Sequence, residues 1–148
     1  MTHYITALQE IPKDNKRPTL FLAGGITNCP EWQDEAIQLL ADSRWLLLNP
    51  RRKNFPIDDP NASHQQIEWE HRHLRLAYAI LFWFPQETLC PIVLYELGAW
   101  SMTLKPIFVG MHPKYQRRQD VKIQTALVRP DVRIQYTLKD LCDRVKSI

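Results

Sequence analysis

Glu96 is the only charged residue in the apolar segment from Pro91 to Met102. A helix with so few polar residues is mostly buried, and a buried carboxylate without partners costs several kcal/mol. The segment follows a strongly apolar stretch, residues 79–84, which predicts a strand. Because ligands of parallel sheets bind at the carboxyl ends of the strands, Glu96 is a candidate catalytic residue. The alternative is a structural Glu near a helix start, stabilised by the helix dipole.

Glu70 is a second acid on an apolar helix face. In the helix predicted for residues 63–76, Ile67, Glu70, Leu74 and the following Ala77 recur with helical spacing, so this stripe is expected to face the sheet. Two inward carboxyl groups of different pKa can divide the work of nucleophile and general acid at a glycosidic carbon. If Glu70 lies instead at the edge of the stripe, its carboxylate reaches solvent or an arginine.

The loop after the first predicted strand can bind a small polar ligand. Its sequence, Gly24-Gly25-Ile26-Thr27-Asn28, offers backbone N–H groups and two polar side chains. It contains neither the GxGxxG dinucleotide fingerprint nor the Gly-Lys-Ser/Thr of a phosphate-binding P-loop. A sugar therefore fits this loop better than a triphosphate, although a Gly-Gly pair also commonly does no more than end a strand.

His64, Glu68 and His71 have a spacing that could bind a metal. On the predicted helix they fall on the face away from Ile67 and Leu74, where a solvated polar surface is the better interpretation. The three cysteines are scattered, odd in number and without a CxxC motif, so neither a disulfide framework nor a zinc site is indicated. We expect no metal and no cofactor.

Strand and helix patterns alternate along the chain, which predicts an α/β fold with a parallel sheet covered on both faces. Right-handed crossovers favour a doubly wound five-stranded sheet of order 2-1-3-4-5. Its strands are predicted at residues 19–23, 45–48, 79–84, 106–110 and 132–136. The helices are predicted at residues 31–40, 63–76, from Pro91, at 121–128 and after Thr137. We expect an extended N-terminal arm, residues 1–16, and a single domain, residues 17–148.

The composition bears on the class of function. The 148 residues carry 19 basic and 16 acidic side chains, a net charge of +3 that is too mild to indicate nucleic-acid binding. No apolar run reaches ~18 residues, so we expect no membrane association and a cytoplasmic protein. A hydrophobic fraction of 45% and five tryptophans exceed what one small core easily hides, which predicts a homo-oligomer.

Six segments occur in an order that is known from one family. They are Phe21-Leu22-Ala23-Gly24-Gly25-Ile26, Asn49-Pro50-Arg51-Arg52, Trp69-Glu70, residues 77–85, Glu87-Thr88 and Tyr95-Glu96-Leu97-Gly98. Together they resemble the nucleoside 2-deoxyribosyltransferase-like family over residues 20–141, nearly the whole fold. The Tyr-Glu-Leu-Gly element is fairly specific to this family, whereas the Gly-Gly loop alone would be weak evidence for it.

The resemblance implies a flavodoxin-like fold. It also implies an enzyme that cleaves the N-glycosidic bond of (deoxy)nucleosides or nucleotides, by 2-deoxyribosyl transfer or by hydrolysis. The Glu that matches Glu96 attacks C1′ of the deoxyribose in that family, and Glu70 stands where relatives carry an Asp that contacts base or sugar. Where relatives have an Asp before the third strand, this chain has Tyr78, a third catalytic candidate whose phenol is the weaker acid. The loop after the first strand and the matching segments together suggest substrate-binding roles for Gly24, Gly25, Ile26, Thr27, Asn28, Arg51 and Thr88.

Two other functions stay open on the sequence. The first is a binding module of the same fold that senses a nucleotide or nucleoside without turnover, which Tyr78 in place of Asp favours. The second is a structural or partner-docking domain, against which the two inward acids, Glu70 and Glu96, argue. For the enzyme and for the sensor alike, the expected partner is a small-molecule nucleoside or nucleotide.

Overall fold

The computed structural model describes residues 3–148, which form an alternating series of strands and helices. The elements are β1 Tyr4–Thr6, β2 Thr19–Gly24, α1 Trp32–Leu39, β3 Leu46–Asn49, α2 Ala62–Leu76, β4 Ala79–Phe84, α3 Pro91–Ser101, β5 Ile107–Met111, α4 Arg118–Val128 and α5 Leu138–Lys146. Within the described range, no helix is both long enough and apolar enough to cross a bilayer.

The strands form one sheet of five parallel strands in the order β1-β3-β2-β4-β5. Every residue of β2 and β4 is buried, as expected for strands that helices cover on both faces. Phe21 of β2 lies beside Leu48 of β3 on one side and Ile80 of β4 on the other. The α/β class and the doubly wound, flavodoxin-like fold predicted from the sequence are thereby confirmed.

Two apolar cores lie on opposite faces of the sheet. One core joins α1 and α5 to the sheet through side chains such as Trp32 and Leu141. The other joins α2, α3 and α4 to the sheet through Trp69, Leu97 and Val121. The helices that carry Glu70 and Glu96 therefore lie side by side on the same face, where their side chains can share one space.

The predicted strand order is correct for four strands and wrong for the fifth. The order β3-β2-β4-β5 is as expected, but residues 132–136 form only one parallel bridge, between Gly110 and Gln135, instead of a full strand. Val132 and Ile134 still pack against the core, which explains the strand-like pattern. The chain then turns directly into α5, which Thr137 caps through a hydrogen bond from the Asp140 N–H.

The fifth strand of the sheet comes from the predicted N-terminal arm. Residues 4–6 form β1, which pairs with β3 and buries Ile5. The arm then passes over α2, where Trp69 Nε1 donates to the Gln9 carbonyl at 2.7 Å. The described part of the arm therefore packs on its own domain, while the first two residues lie outside the described range.

The exposed apolar surface differs from the one that the sequence predicts. Four of the five tryptophans are buried within the single chain, so their number gives no support to an oligomer. Helix α3, which was expected to be mostly buried, buries only Val93, Leu97 and Ser101. Its outer face exposes Ile92 and Tyr95 by 67% and 78%.

The packing at the end of β2 requires glycine, which a matched pair of substitutions can test. A Cβ on Gly24 would lie 2.6 Å from the carbonyl oxygen of Trp83 and against the ring of Trp32, whereas a Cβ on Gly98 meets nothing within 4 Å. We expect Gly24→Ala to lower the free energy of unfolding by about 1–3 kcal/mol. Gly98→Ala, within α3, should raise it by roughly 0.5–1 kcal/mol.

Urea denaturation of the two variants beside the wild type measures both changes. If Gly24→Ala is as stable as the wild type, the contact between β2, Trp32 and β4 is looser than described. A loss of stability in both variants would show a general intolerance of alanine rather than a specific close contact.

Candidate active site

Two loops meet at the carboxyl ends of β2 and β4. The contact depends on Gly25, because a Cβ at this position would lie 2.9 Å from Pro85 Cγ, 3.0 Å from Cys90 Sγ and 3.1 Å from Thr88 Cγ2. Gly25 thus brings the loop after β2 against the loop that leads into α3. The backbone N–H groups of the first loop and the start of α3 consequently border the same space.

Both loops contain a residue with left-handed backbone geometry. Within residues 3–148, Asn28 with φ of 57° and Cys90 with φ of 53° are the non-glycine residues in this region. Asn adopts it readily, but for Cys it is uncommon. Such conformations cluster at ligand-binding and catalytic sites, and here one lies in each of the loops that border the cleft.

The space between these loops and helices α2 and α3 is a cleft of about 530 Å³. Most of its lining is apolar, including Phe21, Ile26 and Phe55. Its polar side chains, apart from the Cys90 thiol, are those of Thr27, Ser63, Gln66, Glu70, Thr88 and Glu96. No lysine, arginine or histidine is among the residues that line it. An apolar cleft with a few converging polar groups is the usual form of a small-molecule site.

Glu70 and Glu96 enter this cleft from different helices. Glu70 comes from α2 and Glu96 from α3, and both side chains are half-buried. The same two residues also line an adjoining groove of about 560 Å³ between α2 and α3. The acids therefore lie where the cleft and the groove meet.

The environment of the two acids favours their protonated forms. Burial raises the pKa of Glu96 to about 8, and the nearby charge of Glu70 adds to this rise. Burial also raises the pKa of Glu70 to about 7, against a smaller lowering effect of the Gln66 side chain. Because the two groups interact, their protons are lost in steps that belong to the pair. Between these two pKa values, the pair holds about one proton.

Arg51 fixes the shape of the first loop. Its guanidinium donates to the carbonyl oxygens of Pro30, at 2.7 Å, and Cys29, at 3.0 Å, and to Gln33 Oε1 at 3.1 Å. The Gly25 carbonyl in turn accepts from Trp32 Nε1 at 2.9 Å. Most donors of Arg51 are thus engaged within the protein, and the side chain does not line the cleft.

The structure brings together most of the residues predicted for the site. Glu70, Glu96 and five of the predicted binding residues line the one cleft, namely Gly24, Gly25, Ile26, Thr27 and Thr88. Asn28 and Arg51 shape the first loop but do not line the cleft. Glu70 does lie at the edge of its apolar stripe, since Leu74 and Ala77 are buried whereas Ile67 is 65% exposed.

Tyr78 is not part of this arrangement. It precedes β4, at the amino edge of the sheet, and its side chain is 57% exposed. Its ring packs at 6.0 Å from that of Trp45, and its backbone N–H donates to Thr19 Oγ1. The length of β4 separates it from the cleft, so the structure does not support Tyr78 as a catalytic residue.

Several lining residues were not predicted from the sequence. Gln66 lies one helical turn before Glu70, and Ser63 and Phe55 border the cleft from the start of α2 and the preceding loop. The spacing of Gln66 and Glu70, i and i+4, was the one available signal. Cys90 also lines the cleft, but burial raises the pKa of its thiol to about 12, so it is a poor nucleophile at neutral pH.

The predicted polar face of α2 is solvated. His64 and Glu68 form an exposed pair, and His71 accepts a hydrogen bond from Arg75. In the part of the chain that the structure describes, no three His, Cys, Asp or Glu side chains are grouped as a metal site requires.

A family model covers the part of the chain that forms the cleft. A model described as nucleoside 2-deoxyribosyltransferase like matches residues 17–115, a range that contains β2, both acid-bearing helices and both loops of the cleft. A comparison with curated proteins gave no significant match. Since the match covers more than half of the chain, this protein belongs to the nucleoside 2-deoxyribosyltransferase-like family.

Proposed function

We propose that the chain cleaves the N-glycosidic bond of a (deoxy)nucleoside, by 2-deoxyribosyl transfer to another base or by hydrolysis. The observation that carries this proposal is the pair of carboxyl groups, Glu70 and Glu96, in one cleft at the carboxyl edge of the sheet. Paired carboxyls of different pKa are the usual means of cleaving a glycosidic bond. Membership of the family supports glycosyl transfer on nucleosides in general.

In the proposed mechanism, the ionised Glu96 carboxylate attacks C1′ of the sugar. The bond between C1′ and the base nitrogen breaks, its electron pair goes to the base, and the protonated Glu70 donates a proton to that base. The product is a glycosyl ester on Glu96. A second base or a water molecule then attacks C1′, gives up its proton to Glu70 and releases Glu96.

Substrate binding has to select one form of the acid pair. Burial raises the pKa of both acids, and the singly protonated pair can hold its proton on either one; the reactive form has the proton on Glu70 and the charge on Glu96. A sugar hydroxyl that donates a hydrogen bond to Glu96 favours its charged form. Substrate binding would thereby increase the reactive form.

The charge of the cleft favours uncharged nucleosides over nucleotides. The cleft is lined by two acids and by no lysine, arginine or histidine side chain. A phosphate group placed there would raise the energy of both charges in a partly desolvated space. We therefore expect deoxynucleosides to be cleaved faster than their 5′-monophosphates, with and without an acceptor base, when products are separated by chromatography.

A binding module without turnover is the second candidate. The raised pKa of Glu96 supports it, because a largely protonated acid is a poor nucleophile at neutral pH. The other argument for a sensor was Tyr78 in place of the family's Asp. It no longer applies to the cleft, because Tyr78 lies outside it. Calorimetric binding of a nucleoside, together with no product after prolonged incubation, would identify a sensor rather than an enzyme.

Replacement of Glu96 tests the proposed nucleophile. We expect Glu96→Gln to lower kcat by several orders of magnitude, because the amide cannot form the glycosyl ester. The variant should remain folded. Folding raises the pKa of Glu96 above its ordinary value of 4.5, so ionisation opposes folding as the pH rises to about 8. Glu96→Gln should therefore be more stable than the wild type at pH 8 and lose this advantage at pH 4.5.

Glu68→Gln is the matched control, since Glu68 lies on the exposed polar face of α2 and outside the cleft. This variant should keep wild-type activity. Near-normal cleavage by Glu96→Gln would remove Glu96 as the nucleophile, whatever the behaviour of the control.

The dependence of kcat/KM on pH should be bell-shaped, with its maximum between about 7 and about 8. At lower pH both acids are protonated and the nucleophile is lost. At higher pH both are ionised and the proton donor is lost. The profile should be measured with a substrate whose base does not ionise in this range. A rate that stays constant from pH 5 to pH 9 would contradict the proposed use of the pair.

We also propose that the protein is a homo-oligomer, with the outer face of α3 in the interface. Ile92 and Tyr95 on this face and Ile67 on α2 are exposed beside the groove that reaches the two acids. Exposed apolar groups at this density commonly mark an interface. We expect light scattering at micromolar concentration to give at least twice the chain mass of 17.5 kDa.

Ile92→Asp should reduce this mass to that of one chain, because a carboxylate in the interface would be desolvated. Ile57→Asp, at an 86% exposed position in the loop after β3, is the matched control and should leave the mass unchanged. A single-chain mass for the wild type itself would exclude the oligomer.

A further inference from the structure

The groove between α2 and α3 continues from the acid pair away from the cleft. Its volume is about 560 Å³, and Glu70 and Glu96 are the polar residues that it shares with the cleft. Both helices run from the carboxyl edge of the sheet to its amino edge, because each connects two parallel strands. Beyond the acids, the groove is therefore lined by the next turns of the two helices, with Leu74 four residues after Glu70 and Trp100 four residues after Glu96. Four residues of helix advance the wall by roughly 6 Å.

The place of the scissile bond follows from the roles of the two acids, and this step rests on the proposed function. Glu96 must reach C1′ of the sugar and Glu70 must reach the base, so the bond between C1′ and the base nitrogen lies beside both carboxyl groups. The sugar and the base extend from this bond in opposite directions. One of them therefore occupies the cleft and the other occupies the groove.

The cleft has the polar groups that a sugar requires. The side chains of Thr27, Ser63 and Thr88 line it beside the loop after β2. A hydroxyl group can both donate and accept a hydrogen bond, which suits the hydroxyl groups of a deoxyribose.

The groove instead has a flat aromatic side chain in a fixed wall. The Trp100 ring lines it together with Leu74 and the exposed Ala99. The Lys105 ammonium lies over this ring, 4.7 Å from its centroid, and also donates to the carbonyl oxygens of Leu74 and Ala77 at the end of α2. One cation thus holds the aromatic wall on α3 against α2. Nucleobases stack on aromatic side chains of this kind.

The groove also contains two groups that can only donate hydrogen bonds. Arg75 Nε donates to His71 Nε2 at 3.0 Å, so a neutral His71 ring carries its proton on Nδ1. Among the described hydrogen bonds of residues 3–148, none uses this Nδ1 or the terminal nitrogens of Arg75, and both residues line the groove. The Thr103 hydroxyl offers no comparable group, because it donates to the Trp100 carbonyl and accepts from the Lys105 N–H. A carbonyl oxygen on a base can accept from such donors, whereas an amino group at the same position cannot.

We propose that this groove is the base subsite and that it takes an oxo base, a 6-oxopurine or a 2,4-dioxopyrimidine, in preference to adenine. The base stacks on the Trp100 ring with a carbonyl oxygen towards Arg75, and the sugar lies in the cleft. None of these contacts uses Ile92 or Tyr95, the residues placed in the oligomer interface.

The first test compares two purine nucleosides. Deoxyinosine carries a carbonyl oxygen at C6 of the base, where deoxyadenosine carries an amino group. We expect Arg75→Met to lower the ratio of kcat/KM for deoxyinosine to kcat/KM for deoxyadenosine by about tenfold, since a hydrogen bond from a charged donor contributes about that much. Comparison with the wild-type ratio cancels the difference in intrinsic reactivity of the two substrates. Arg72→Met is the matched control, because Arg72 pairs with Glu10 outside the groove, and it should leave the ratio unchanged.

The second test locates the base without turnover. Backbone amide signals of ¹⁵N-labelled protein are followed by NMR while free hypoxanthine is added to the wild type and deoxyinosine to Glu96→Gln. We expect hypoxanthine to shift the signals of Ala99 and Thr103 in the groove. Deoxyinosine should shift these signals and also those of Thr27 and Thr88 in the cleft.

An unchanged ratio in Arg75→Met would overturn the inference, and so would hypoxanthine that shifts no signal in the groove. The two proposals can fail separately. A wild type that cleaves nucleosides while hypoxanthine shifts only signals of the cleft refutes the base subsite alone. A wild type without turnover, in which hypoxanthine still shifts Ala99 and Thr103, refutes the proposed function and leaves the groove as a base-binding site. In that case the affinities for hypoxanthine and adenine, measured by the same titration with and without Arg75→Met, replace the kinetic ratio.

Discussion

The parallel pairing of β2 with β4 is the constraint on which the rest of the site depends. Gly24 lies beside Trp83 at the ends of the two strands, and both strands are buried throughout. Because parallel strands end at the same edge of a sheet, the loops that follow them meet there. Gly25 packs against Cys90 at this edge, and the helix that begins after Cys90 carries Glu96. A change in the register of this pair would move both loops apart.

The cleft places two carboxyl groups where neither is easily ionised. Folding raises the pKa of both, so at neutral and higher pH these groups oppose folding instead of supporting it. Such unfavourable placement is common where a protein requires a shifted pKa for function. The apolar cores on both faces of the sheet supply the stability against which this cost is set.

The acids were visible in the sequence because each interrupts an apolar pattern, and β2 to β5 were visible as apolar runs between turn signals. The three-residue strand β1 was not, since its pairing with β3 is non-local and only Ile5 is buried there. Tyr78 was wrongly expected in the site because it precedes β4, whereas the cleft lies at the other end of this strand. At about 3.3 Å per residue, the start of β4 lies roughly 17 Å from the edge that holds the cleft. The place of Gln66 in the cleft lining goes with tertiary contacts to Arg52 and Pro50, which no local pattern contains.

The most direct test of the central claim is to trap the glycosyl ester. A 2′-fluoro-2′-deoxynucleoside destabilises the oxocarbenium-like transition state, so the ester should accumulate and be seen as an added sugar mass on the intact protein. Mass spectrometry of the digested protein should locate this sugar on Glu96. A sugar attached to Glu70, or steady cleavage of the normal substrate without any trapped ester, would contradict the assignment of Glu96 as the nucleophile in this cleft.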